Sequence, residues 1–264
     1  MMHISLDTTP LLLVLLLTMI VVLAAIELGF HLGAWRTNRH AALGESEAQL
    51  SSMTGAHLAL LAFIMAFSFS MAAGHYQERR NLIMADANAI STAHSRASLI
   101  AAPEGRVIAD ALVDYVSVRA EVKGLEDGPE MIRKSQEIED KIWREVKSLV
   151  DTQPLTVLHS LLIQSLNEVS DVNDQRMAAG LKNRVPRILW TVLAALLILA
   201  MLGIGYFSGS KGARNPIAST ALALSFSLVL VLIADLDRPM GGTLKSDQSP
   251  IIDLRDQLLA QAAR

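Results

Sequence analysis

The side chains of this chain that could do chemistry are few and dispersed. Its seven histidines are His3, His31, His40, His57, His75, His94 and His159, and none stands one helical turn from another beside a carboxylate. There is no cysteine, which excludes disulfides, thiolate metal sites, iron–sulfur clusters and cysteine nucleophiles. Phosphate-cradling glycine loops, H-E-x-x-H and the G-x-S-x-G nucleophile elbow are also absent. The chain reads as no enzyme. Two acidic positions remain of interest. Glu27 ends an apolar run beside His31, Trp35 and Arg36, so it is either a proton or ion site or an interfacial ion pair. Asp235 and Asp237, one residue apart before Arg238, Pro239, Met240, Gly241 and Gly242, form a turn. They supply two carboxylates toward a hard cation, which wants six or more oxygens. Helix-end chemistry with an Arg238 ion pair is the simpler reading, so the two are weak metal candidates and no cofactor is expected.

The elements that carry these residues are set by four apolar segments, Leu11 to Phe30, Gly55 to Ala73, Ile188 to Phe207 and Pro216 to Ala234. A bilayer core about 30 Å thick needs roughly 20 residues of helix. No Lys, Arg or Asp interrupts any of the four runs, and 52% of the 264 residues are hydrophobic. Too little polar surface remains to cover four buried helices in a soluble protein. The first segment lacks the basic flank of a secretory leader and is expected to be an uncleaved span. A net charge of −3 gives no bulk attraction to nucleic acid.

Between the two span pairs, Gly74 to Val185 is polar and helix-patterned. His75 to Ala102 has no Gly or Pro, so the second span is expected to continue as one long helix until Pro103 and Gly105. Ile108, Leu112, Val113 and Val116 mark a helix over 107–123, and Ile132, Ile138, Ile142, Val146 and Leu149 another over 131–149. Pro154 is expected to start a helix carrying Leu158, Leu161, Leu162, Leu166 and Val169. Pro186 suits the start of the third span. The expected architecture is all-α: a first span pair in 1–73, a helical domain in 74–185, a second span pair in 186–236 and a C-terminal segment in 237–264. Four spans place both termini and the helical domain on one side. Basic residues near the spans favour the cytoplasm for that side by number, while Arg36 and Arg39 after the first span oppose it.

The second span has an internal pattern. Leu60, Phe63, Ile64, Phe67 and Met71 share one broad helical face, and Ala59, Ala62, Ala66 and Ala73 another. Small residues allow close helix approach. The bulky series Phe63, Phe67 and Met71 reads either as ordinary packing or as stacked apolar rings around an axis, which gate by dewetting.

Three blocks carry a resemblance. They are His75-Tyr76-Gln77-Glu78-Arg79-Arg80 followed by Asp86-Ala87-Asn88-Ala89-Ile90-Ser91-Thr92-Ala93; Leu166-Asn167-Glu168 through Arg176 to Pro186; and Asp235 to Pro239 through Asp247-Gln248-Ser249-Pro250 to Asp253-Leu254. Together they resemble the bestrophin-like bacterial membrane proteins, a domain-of-unknown-function family, and more distantly the bestrophin ion channels. The resemblance implies a four-span bestrophin-like fold, a homo-pentamer, and a cytoplasmic helical domain with both termini cytoplasmic in a bacterial inner membrane. It implies passive conduction of small inorganic ions along an axis lined by span two, with Phe63 and Phe67 as the neck. Arg79 and Arg80 would favour anions such as chloride, with Glu78 and Asp86 on the same helix opposing them. The turn from Asp235 to Pro239 is similar to the segment where animal members bind calcium, but it lacks their consecutive acidic run. The reading from another class is a membrane-anchored helical signalling or scaffold module without a pore.

Overall fold

The computed structural model describes residues 9–39, 47–121, 127–181, 183–238, 243–244 and 247–262. Among these the chain forms eight α-helices and no strand. They are α1 (Leu11–Arg39), α2 (Glu47–Ser98), α3 (Pro103–Ala120), α4 (Gly128–Thr152), α5 (Val157–Leu181), α6 (Arg187–Ser210), α7 (Pro216–Asp237) and α8 (Ser249–Ala262). Helices α1, α2, α6 and α7 are long and apolar enough to cross a membrane, and they contain the four expected segments. The chain divides into two compact units. One comprises residues 1–75, 184–238 and 242–244, the other 76–183, 239–241 and 245–264.

The first unit holds the spans. Its core is built from Val22, Ala25 and Ile26 of α1, Leu61 and Met65 of α2, Leu193, Leu197, Ala200 and Met201 of α6, and Ala223 and Leu230 of α7. The outward faces are just as apolar: Leu12, Leu16, Ile20, Ile188, Leu199, Ile217 and Leu228 are all exposed. Water would penalise such a surface, whereas hydrocarbon does not, and helices satisfy their own backbone groups there. Helix α7 starts on a residue suited to it. Asn215 caps α7 by accepting the Ala218 N–H at 3.1 Å, with Pro216 at the first position.

Helices α1 and α6 meet backbone to backbone. Gly29 and Gly33 on α1, and Gly205 and Gly209 on α6, are each one turn apart and face the opposite helix. A Cβ on Gly29 would lie 2.9 Å from the Tyr206 nitrogen, and one on Gly205 would lie 2.9 Å from the Phe30 nitrogen. Both would fall closer still to a carbonyl oxygen, that of Leu202 and of Ile26 respectively. Without a hydrophobic force between helices in lipid, close packing of this kind supplies the association.

The second unit is the helical domain: the latter part of α2 with α3, α4, α5 and α8. Ile83 and Ile90 of α2, Ile108, Leu112 and Tyr115 of α3, Ile142 and Leu149 of α4, Leu162 and Leu166 of α5, and Ile251 and Leu254 of α8 share one core. Arg96 of α2 donates to the Leu161 carbonyl oxygen of α5 at 2.7 Å. Helix α2 stops at Ser98, short of the expected end at Pro103, where the Leu99 and Ile100 N–H groups turn back to the Arg96 and Ala97 carbonyl oxygens at 3.2 and 3.1 Å. Helix α5 begins at Val157, not at Pro154 as expected. The Thr156 hydroxyl accepts the His159 N–H at 3.3 Å, so the threonine caps the helix and the proline stays in the preceding loop. Helix α8 falls in the C-terminal segment, for which the sequence pattern specified no element.

Gly205→Ala is expected to cost ~1–3 kcal/mol of stability through overpacking. Gly203→Ala is the control, since its Cβ would meet only the Thr54 hydroxyl at 3.7 Å. Equilibrium unfolding of the detergent-solubilised protein reads both, and equal stabilities would contradict a backbone contact at Gly205.

Candidate functional site

The structure divides the face predicted on the second span. Leu61, Met65, Ser68 and Ala72 of α2 are buried in the span unit and recur at helical spacing. Phe63 and Phe67 lie on the opposite side of the helix, 67% and 51% exposed, with Leu60 also exposed. Ile64 packs partly against the span core, and Met71 is half-buried. The outward aromatic edge is therefore Leu60, Phe63 and Phe67. Ala59, Ala62 and Ala66 are exposed beside it.

The two arginines below the span have different fates in the helical unit. Arg79 is buried, while Arg80 is exposed. Backbone and side-chain hydrogen bonds from Ser249 hold the Asp247 carboxyl below its ordinary range, and the Arg80 charge adds to this.

At the end of α7 the two aspartates act as acceptors. Asp235 takes the Thr243 N–H at 2.9 Å, the Leu244 N–H at 3.3 Å and the Thr243 hydroxyl. Asp237 takes the Val185 N–H at 2.8 Å, and Arg184 donates to the Asp237 carbonyl oxygen at 3.2 Å. Arg238 donates to the Thr9 carbonyl oxygen at 2.6 Å. The cluster thus ties the end of α7 to the entries of α6 and α1. Pro239 and the Met240, Gly241 and Gly242 turn lie outside the described residues. Donors already point at both carboxylates, and among the described residues no three His, Cys, Asp or Glu converge to hold a metal.

A buried ionic network in the helical unit was not anticipated. Asp86 of α2 is fully buried, 3.0 Å from the Arg119 Nε of α3 and paired with Arg176 of α5. Arg119 also donates to the Asn173 side-chain oxygen at 2.7 Å and to the Tyr115 hydroxyl at 2.8 Å. Tyr115 donates to Glu139 of α4 at 3.4 Å. Four helices therefore meet in one polar cluster. Burial and the neighbouring Arg119 pull the Arg176 guanidinium below its ordinary pKa, and Asp86 raises it. Burial pushes the Glu139 carboxyl above the ordinary range, against the pull of Arg119 and Tyr115. Glu27, the other acid of interest, pairs with Arg214 of the α6–α7 turn and lies 3.3 Å from His31 Nε2.

Long apolar helices with a helical unit of this kind define an integral membrane protein of all-α class. The sequence matches the Bestrophin-like domain family over residues 21–251, and the chain belongs to that family. No curated protein sequence matches it. In fold it is similar to a bacterial bestrophin homologue from Klebsiella pneumoniae phased on zinc, at 17% identity, covering 97% of this chain and 99% of that one, with a TM-score of 0.68. Two single-residue variants of a bestrophin homologue from the same organism match at 17% identity. One has a TM-score of 0.68 with 97% and 100% coverage, the other 0.64 with 95% and 100%. At this identity the likeness shows a bestrophin-like fold.

Replacing Asp86 by Asn leaves two guanidiniums buried without their carboxylate and is expected to cost ~3–5 kcal/mol in denaturant unfolding. An unchanged midpoint would remove Asp86 from the centre of the cluster. Glu139 gives a pH dependence. Its folded pKa is raised, so its contribution is fully present below the ordinary value of 4.5 and is lost as pH rises through the folded pKa. Stability measured upward from that pH should fall in wild type, and Glu139→Gln should remove this step.

Proposed function

We propose that the protein is an oligomeric ion channel conducting passively along an axis lined by the second span. The observation that carries this reading is the outward edge of α2. Phe63 and Phe67 turn two large aromatic side chains away from the protomer's own bundle, on the face opposite Leu61, Met65, Ser68 and Ala72. Brought together around a symmetry axis, such edges make an apolar constriction that conducts only when wetted. Family membership supports the same arrangement, with a homo-pentamer as the assembly and small inorganic ions as the permeant species. Met71 and Ile64 shape the flanks of the neck in this reading.

The helical domain of 74–185, the C-terminal segment of 237–264 and both termini are assigned to the cytoplasm, with the spans in the bacterial inner membrane. The preference for anions such as chloride rests on Arg80, which is exposed, with Glu78 opposing it. Arg79 acts from within the protein. The cluster of Asp235, Asp237 and Arg238 serves as a fixed helix-end tie in place of a metal.

Ion flux from purified protein in liposomes tests the proposal, with chloride and potassium gradients applied separately. Phe63→Ala with Phe67→Ala should raise flux severalfold by widening and wetting the neck. Oligomers of correct size that pass no ions in either form would overturn conduction and favour the anchored scaffold reading.

A further inference from the structure

We propose that the groove between α1, α6 and α7 at the α6–α7 turn binds one zwitterionic phospholipid of the ethanolamine type. The groove has a volume of about 590 Å³, within the range of ligand-sized sites. Leu23, Ile26, Ile204 and Leu222 give it an apolar wall, Ser208, Asn215, Ser219 and Thr220 a neutral polar one, and Glu27 and Arg214 line it as a charged pair. These helices are long and apolar enough to cross a membrane, and an acyl chain matches the apolar wall.

The headgroup class follows from the charged pair. Glu27 is the one charged residue in the apolar run from Leu11 to Phe30, and an acid within a span-length helix is a functional candidate. Arg214 pairs with it, and the two side chains keep 61% and 43% of their surface for Arg214 and Glu27 respectively. Arg214 and His31 both meet Glu27 through Oε1, so Oε2 takes part in neither contact. The Arg214 guanidinium rests 5.4 Å from the Phe30 ring centroid, which holds it at the rim. Guanidinium and carboxylate thus stand side by side, each accessible. An anionic headgroup would meet Glu27 unfavourably, and a cationic one would meet Arg214. A phosphate with an ammonium one short linker away satisfies both, and three N–H donors make ethanolamine a better partner for Glu27 than a trimethylated amine.

Native mass spectrometry of the full-length protein in detergent tests this by titration with phosphatidylethanolamine, phosphatidylcholine and phosphatidylglycerol. The ethanolamine lipid should bind most tightly, one per chain. Glu27→Gln should weaken it about tenfold, the scale of one charged hydrogen bond, and erase its advantage over phosphatidylglycerol. Ala24→Trp, which fills the groove and leaves the ion pair in place, should remove the tight site. Equal binding of all three lipids by wild type would overturn the proposal. So would an unchanged lipid preference in Glu27→Gln, or retained tight binding in Ala24→Trp.

Discussion

The span unit depends on the backbone contact between α1 and α6. Hydrocarbon offers no hydrophobic gain for bringing two apolar helices together, so attraction must come from atoms that reach each other. Gly29, Gly33, Gly205 and Gly209 remove the side chains that would hold the helices apart. With the two axes this close, Val22, Ile26, Leu197 and Met201 share one buried core with Leu61 and Met65 of α2. The tie at Asp235, Asp237 and Arg238 secures the opposite requirement. It fixes where α7 stops and where α6 and α1 begin, using acceptors buried at the helix ends.

The helical unit solves a different problem. It has a hydrophobic core of ordinary kind, yet it places a carboxylate and two guanidiniums inside it. A buried ion pair is a weak source of net stability, because desolvation consumes most of the attraction. Its effect is on alternatives. Asp86 on α2, Arg119 on α3, Arg176 and Asn173 on α5 and, through Tyr115, Glu139 on α4 are linked in a single arrangement. Sliding any of these helices by a turn would strand a charge. Apolar stripes such as Ile138, Ile142 and Leu149 tolerate small shifts, and the polar cluster does not.

Much of this was legible in the sequence, and the unread parts have physical reasons. Span positions follow from length and polarity alone, so Leu11 to Phe30 and Pro216 to Ala234 reappear within α1 and α7. Helix ends depend on single hydrogen bonds, and Thr156 rather than Pro154 supplied the one that starts α5. The glycine contact had a visible signal, G-x-x-x-G at Gly29 and again at Gly205, which gains meaning only once the two helices are known to be neighbours. Asp86 and Arg119 also gave a signal. Each is a charge on an otherwise apolar helical stripe, beside Ile83 and Ile90 in one case and Leu112 and Val116 in the other. Their pairing, between residues far apart in the chain, has no local trace. Phe63 and Phe67 were legible as a bulky series, but one sequence does not separate Ile64 and Met71 from them, because one helical face is broad enough to include all four.

The burial pattern of α2 in the helical unit changes the electrostatic argument for conduction. Four charges on this segment, Glu78, Arg79, Arg80 and Asp86, all counted in the sequence reading. Arg79 and Asp86 lie inside the fold, which leaves Glu78 and Arg80 exposed and opposite in sign. The remaining exposed positions include Gln77, Asn81, Asn88, Thr92 and Ser95, all neutral, and Gln77 donates to Asn81 at 2.9 Å. If this face lines the path, an ion there meets amide and hydroxyl dipoles, which can turn a positive or a negative end toward it. Exposed single charges are screened over about 8–10 Å at ordinary salt. Selectivity in such a path would follow the cost of dehydrating the ion at the apolar neck more than the sign of its charge, and large weakly hydrated ions would pass before small strongly hydrated ones.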